Sequence, residues 1–217
     1  SSLSVRNLRY NVSCYNASDG SITLNKITGG HDYEPYTYQW EVLAGNGSVS
    51  PTERNQSNLK AGIYSVEVSD FQGCITRDTF ELTEPLPIQI IVDTPVAPSG
   101  ETNLKCFGDK DGYIQLQVTG GDTIDRSYSY LWTPGSYTTR QINNIGAGTY
   151  VVKVTDGINC FVYDTITLTE PPKLKIDTTI TSDYHGYAIA CANGSDGSIR
   201  VVVSGGAGDY SYNWRQG

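Results

Sequence analysis

The sequence predicts an all-β protein built of tandem two-sheet sandwiches, and three observations predict it. A phrase running from Cys to Asp-Gly is written three times, as CYNASDG at 14–20, CFGDKDG at 106–112 and CANGSDG at 191–197. Each copy is followed by a stretch that alternates apolar and polar residues, the period-two pattern of a half-buried strand. Composition argues against helix: 217 residues hold 16 Tyr, 23 Gly, 9 Pro and no Met, with no long stretch of Ala, Leu, Glu and Lys.

The elements follow one another in the same order in every copy. The alternating stretches are SITLNKITGG, YIQLQVTGG and SIRVVVSGG, each ended by a Gly-Gly turn; then come YTYQW, YSYLW and YSYNW. Two copies continue with LKAGIYSVEVSD or IGAGTYVVKVTD, and then GCITRDTFELTEP or NCFVYDTITLTEP, whereas the third stops after Trp214. The leading cysteines stand 92 and 85 residues apart (106 − 14 and 191 − 106). Short strands, turn signals between them and that period predict a seven-strand immunoglobulin-like β-sandwich per repeat, the repeats arranged end to end. The expected divisions are 1–85 for repeat one, 86–171 for repeat two and 172–217 for the N-terminal part of a truncated repeat three.

Repeat one carries insertions. Trp40 to Tyr64 spans 24 residues and Trp132 to Tyr150 spans 18 (64 − 40 and 150 − 132), so repeat one has an enlarged Gly, Asn and Ser-rich loop. Ile22, Leu24 and Ile27 also break the alternation that Ile114, Leu116 and Val118 keep. An extra unpaired residue restores the phase, which predicts a β-bulge near Asn25 and Lys26.

Tyr36, Tyr38 and Trp40 share one strand face, as do Tyr128, Tyr130 and Trp132. Trp40, Trp132 and Trp214 are expected as core aromatics, the reading favoured over a sugar-stacking platform. Tyr64 and Tyr150, each two residues past an Ala-Gly turn, are expected as tyrosine corners bonded back to the backbone. Asp70 and Asp156 begin turns, where Asx-turns account for them.

At this point the residues carry a resemblance. Cys-x4-Asp-Gly-Ser-Ile, Ser/Thr-Gly-Gly, Tyr-x-Trp, Ala-Gly-x-Tyr-x-Val-x-Val-x-Asp, Gly-Cys and Leu-Thr-Glu-Pro, in that order, resemble the SprB-type repeat of very long cell-surface adhesins of gliding Bacteroidetes. The resemblance covers two full copies and part of a third. It implies an extracellular filament, exported by type IX secretion and anchored at the outer membrane through the rest of the parent protein. Its implied partners are neighbouring repeats of the same chain, extracellular substrata or polysaccharide, and the gliding machinery.

Five cysteines with no C-x-x-C pair read as a disulfide framework of an extracellular protein. Three arrangements stay open: pairing within a repeat (Cys14 with Cys74, Cys106 with Cys160), pairing between repeats, and free thiols. In an immunoglobulin-type sandwich the within-repeat cysteines lie at opposite poles, about 20 Å apart for strands of some seven residues, against a Cα limit near 7 Å. End-to-end stacking would instead bring Cys14 to Cys160. Cys74, Cys106 and Cys191 would then find partners outside these residues.

Other chemistry finds little support. His31 and His185 are the only histidines, and no H-E-x-x-H, G-x-S-x-G or phosphate-cradling glycine motif occurs. Neither a catalytic nor a metal site is expected, and no cofactor. Asp109-Lys110-Asp111-Gly112 matches part of a calcium loop, but Phe107 replaces its first carboxylate, so an ordinary turn is the better reading. A net charge of −8 with 15 scattered basic residues gives no track for nucleic acid, and no apolar run is long enough for a membrane span. The lack of an initiator Met and of any leader suggests a piece of something longer. Asp122-Thr123-Ile124, Asp164-Thr165-Ile166 and Asp177-Thr178-Thr179 resemble the O-glycosylation pattern of Bacteroidetes surface proteins, although packing is expected at Thr165. The expected function is therefore a structural, adhesive stalk segment; the alternative is a carbohydrate-binding module of a secreted polysaccharide-degrading protein.

Overall fold

Alternating sequence becomes strand wherever its apolar residues find a second sheet to cover them. A computed structural model of the chain describes residues 1–3, 9–27, 35–122 and 127–215, and among these it contains strands and no helix. Repeat one supplies β1 (Ser2–Leu3), β2 (Gly20–Thr23), β3 (Thr37–Gly45), β4 (Gln56–Leu59), β5 (Gly62–Ser69) and β6 (Ile75–Leu82). Repeat two supplies β7 (Leu86–Asp93), β8 (Gly112–Gly121), β9 (Ser129–Thr133), β10 (Gln141–Ile145), β11 (Gly148–Thr155) and β12 (Phe161–Leu168). The third copy supplies β13 (Lys175–Ile180) and β14 (Ile199–Ser204).

Sheet order repeats with the sequence. Repeat one forms the sheets β1-β2-β4 and β3-β5-β6; repeat two forms β7-β8-β10 and β9-β11-β12; the third copy pairs β13 with β14. Among the described residues each complete repeat shows six strands, against the expected seven. The connections at 46–55 and 134–140 contain no strand. They are short and fold back on the tryptophan strand: Trp40 N donates to Pro51 O at 2.8 Å, and Trp132 N to Tyr137 O at 3.0 Å.

The core of repeat one draws on both sheets. Ile22 and Leu24, with Leu59 of β4, face Trp40, Tyr64, Val66, Val68, Phe80 and Leu82, and all are buried. Trp40 and Phe80 rings lie 5.9 Å apart. In repeat two the same positions are buried, namely Ile114, Leu116, Trp132, Tyr150, Val152, Val154, Ile166 and Leu168. The chain divides into two compact units, Ser1–Ile90 with Val118–Leu131 and Lys153–Tyr163, and Ile91–Gln117 with Trp132–Val152 and Asp164–Gly217. The borders of these units cut through strands of repeat two and do not follow the repeat period.

Three local expectations are corrected. Trp214 is 63% exposed, against 2% for Trp40 and 0% for Trp132. Its copy has only β13 and β14 among the described strands, without counterparts of β5 and β6 to close over an indole. No bulge forms at Asn25 and Lys26, because β2 leaves its ladder at Thr23. Side chains take over there: Leu24 N donates to Asn55 Oδ1 at 3.0 Å, and Arg54 donates from Nε to Leu24 O and from its terminal nitrogen to Asn25 O. Ile27 still packs on the core. Thr165 is exposed on β12 rather than packed, since its neighbour Ile166 takes the inward position. Thr123, Ile124 and His31, and with them the first of the three Asp-Thr sites, lie outside the described residues.

Candidate functional site

The recurrent phrase turns out to encode one loop. In all three copies the cysteine carbonyl accepts the N–H three residues on, from Ala17, Asp109 and Gly194. The residue two after the cysteine is left-handed each time, with φ of 58° at Asn16, 78° at Gly108 and 65° at Asn193. That conformation selects Gly or Asn, so CFGDKDG departs from its siblings in spelling and not in shape.

The Asp-Gly that ends the phrase has two separate duties. Asp19 Oδ1 accepts Ser13 N at 3.0 Å and Asp196 Oδ1 accepts Ala190 N at 3.2 Å, in both cases the residue before the cysteine. In repeat two the same position uses its side chain, with Lys105 Nζ 3.8 Å from Asp111 Oδ2. The glycine permits close strand approach: a Cβ on Gly20 would lie 2.9 Å from Leu59 O, and one on Gly112 2.6 Å from Ile145 O.

The Leu-Thr-Glu-Pro motif locks the other side of the loop. Glu84 and Glu170 accept the N–H of Asn16 (2.5 Å) and of Gly108 (2.7 Å). Asn11 Oδ1 accepts both N–H and hydroxyl of Thr83, as Asn103 Oδ1 does for Thr169. Sequence reasoning missed these asparagines, although Asn three residues before Cys14 and Cys106 was a readable signal. Ala188 holds that place in the third copy.

The second partner of the site is the tip of the β5–β6 and β11–β12 hairpins. Asp70 Oδ1 accepts the N–H of Gln72 and Cys74, and Asp156 Oδ1 those of Ile158 and Cys160, an Asx-turn at each tip. Gly73 (φ 83°) and Asn159 (φ 70°) occupy the same left-handed position ahead of the cysteine. Asp156 Oδ2 also accepts Asp122 N at 2.9 Å.

The structure joins Cys14 to Cys160, with Cα atoms 5.6 Å apart and a sequence separation of 146. Both lie in the first compact unit. Around the bond runs a groove of about 240 Å³, bordered by Tyr15, Leu86, Ile88, Asn159 and Phe161. Cys74, Cys106 and Cys191 are free and exposed. Tyr64 donates its hydroxyl to Lys60 O at 2.7 Å, and Tyr150 to Gly146 O at 3.0 Å. Burial pushes both phenols above the ordinary tyrosine range, and the neighbouring Tyr137 adds to the shift at Tyr150. Among the described residues no group of three or more His, Cys, Asp and Glu side chains could hold a metal.

The sequence profile of the SprB repeat matches residues 10–45, 101–137 and 189–217, stretches that run from ahead of each cysteine loop through the tryptophan. Three regions of the chain are thus similar to the SprB repeat. The match points to a repeat region of a cell-surface adhesin and to a structural, non-catalytic role. No helix among the described residues is long and apolar enough to cross a membrane. Among curated proteins none matches the chain.

Solved structures similar to the chain hold immunoglobulin domains. The two domains IG1 and IG2 of DIP-gamma are 11% identical over 63% of this chain and 84% of that one, with a TM-score of 0.29. Murine CEACAM1b is 13% identical over 78% and 100%, with a TM-score of 0.26. A complex of Dpr2 Ig1-Ig2 with DIP-Theta Ig1-Ig3 gives 12%, 77% and 70%, with a TM-score of 0.27. TM-scores this low carry no argument about function, and the two-sheet fold of each complete repeat rests on its own strands.

Proposed function

We propose that the chain is a stalk segment of a long, repetitive adhesin at the outer surface of a gliding bacterium, where it transmits tension between cell and substratum. The Cys14–Cys160 bond is the observation that carries this reading, because it ties the loop that opens repeat one to a hairpin tip of repeat two. Closing 146 residues restricts the unfolded chain by about 5 kcal/mol in the entropic account. A pull on the ends of the chain then bypasses most of the intervening sequence. The disulfide itself suits an oxidising, extracellular setting, and export by type IX secretion with anchoring through the parent protein fits it. On the same pattern, Cys74, Cys106 and Cys191 would pair with cysteines of further repeats.

Single-molecule pulling tests the reading. With the bond intact, full extension should fall short, and reductant should release up to about 500 Å of contour from the sequence separation of 146 that the bond closes. An extension unchanged by reductant would remove the tension-bearing role. The carbohydrate-binding alternative loses its best platform, since Trp40 and Trp132 are in the core. A glycan array probed with the chain should stay silent.

A further inference from the structure

The dipeptide Asn-Gly occurs twice in the chain, at 46–47 and at 193–194. A backbone nitrogen that follows an asparagine can attack the carboxamide carbon and close a succinimide ring, and a following glycine, having no Cβ, leaves that approach open. Both asparagines are exposed, so access to water does not separate them. They differ in how the attacking nitrogen is held. Gly194 N donates to Cys191 O at 2.9 Å, the bond that closes the third cysteine loop, and Asn193 takes the left-handed conformation of that loop (φ 65°).

Other asparagines are restrained at one end or the other. After Asn16, Ala17 N donates to Cys14 O, and after Asn159, Cys160 N donates to Asp156 Oδ1. Asn11, Asn55 and Asn103 have the carboxamide itself engaged, each accepting a backbone N–H through Oδ1. Asn46 has neither restraint. It follows Gly45, the last residue of β3, and lies outside the left-handed region. Among the described residues neither its carboxamide nor Gly47 N has a hydrogen-bond partner. An N–H must leave its acceptor before its nitrogen can attack, and giving up one hydrogen bond slows that step by roughly tenfold.

We propose that Asn46 is a site of spontaneous deamidation, with Gly47 N as the nucleophile. The bond from Gly47 N to Asn46 Cγ forms, the Cγ–Nδ2 bond breaks, and ammonia leaves with the proton of the Gly47 amide. Water then opens the ring at either carbonyl, which leaves an aspartate or an isoaspartate at position 46; no oxidant or reductant takes part. The site does not depend on the adhesive role. In the isoaspartyl form the main chain runs through Cγ and gains an atom just ahead of Gly47, where a Cβ would already strike the Tyr64 hydroxyl. That hydroxyl donates to Lys60 O at 2.7 Å, so the modification loosens the tyrosine corner of repeat one.

The test incubates the 217-residue chain at neutral pH, folded and in guanidinium chloride, and follows both Asn-Gly sites by peptide mapping with mass and retention time. In the folded chain the Asn46 peptide should convert roughly tenfold faster than the Asn193 peptide. In denaturant, where neither amide is held, the two rates should converge. The isolated isoaspartyl fraction should melt below an Asn46→Asp chain, which carries the same charge without the added main-chain atom. Equal rates at the two sites of the folded chain, or a ratio that denaturation leaves unchanged, would overturn the assignment. Equal melting of the two modified forms would remove the link to Tyr64.

Discussion

Repeats one and two share sheet order, cysteine loop and tyrosine bond, yet they satisfy one stretch of backbone by opposite means. In repeat two, Ile142 is buried at 2% exposure opposite Ile114, and Leu116 N donates directly to Arg140 O at 3.2 Å. In repeat one the residue opposite Ile22 is Gln56, buried at 3%. Its Oε1 accepts Ser50 N at 2.8 Å, and its Nε2 donates to Ser50 O and Glu53 O. Asn55 meanwhile serves Leu24 N with a side-chain oxygen. The longer connection of repeat one brings extra backbone groups against the core. A buried backbone group without a partner costs more than the bond itself contributes, so a polar side chain displaces an apolar one where those groups arrive. Loop length and core composition are thus coupled in this fold.

The comparison breaks if the two cores are not equivalent. Trp40→Ala and Trp132→Ala should each destabilise by about 3–5 kcal/mol, the range for emptying a large aromatic site. Trp214→Ala should stay within about 0.5 kcal/mol, as for a surface change. Urea unfolding followed by far-UV circular dichroism would measure all three, and a costly Trp214→Ala would mean a more complete third sandwich than the described strands form.

The coupling itself is sharpened by exchange at the Gln56 and Ile142 positions. Gln56→Leu, although more apolar, should destabilise by about 1–3 kcal/mol because Ser50 and Glu53 lose their buried partner. Ile142→Val should cost only about 0.5–1.5 kcal/mol. A stabilising Gln56→Leu in thermal melts would end the argument. Gly47 belongs to the same enlarged connection, and a Cβ there would strike the Tyr64 hydroxyl. Gly47→Ala should therefore cost about 1–3 kcal/mol by overpacking.

The smallest effect is a shared one. Burial raises the pKa of Tyr64 and Tyr150, so the folded chain holds those protons more tightly than the unfolded chain does. The stability this confers is complete below about pH 10, the unperturbed tyrosine value, and is lost as pH climbs through the raised values. Tyr64→Phe should flatten the alkaline decline in melting temperature, and a decline equally steep without Tyr64 would assign it elsewhere.

Fold class was legible because alternation and turn residues act locally. Ile114 and Leu116 take the inward face that the period-two pattern assigns them, and the left-handed residues of the cysteine loops are Asn and Gly. Less legible were effects that need two distant segments at once. The phase change at Ile27 reads as a bulge along one strand, whereas Arg54 and Asn55 from another connection meet that backbone instead. Glu84 holds the Asn16 amide from 68 residues away, so neither residue alone announces the loop it holds.

Periodicity and turn chemistry are properties of neighbouring residues, and from them this polypeptide's strands, their inward faces and its threefold recurrence follow without coordinates. Which sulfur meets which, and whether a Tyr-x-Trp segment is buried or bare, depend on surfaces brought together across scores of residues. YSYLW and YSYNW differ at one position, yet Trp132 is sealed and Trp214 is wet, because burial belongs to the covering sheet and not to the segment it covers.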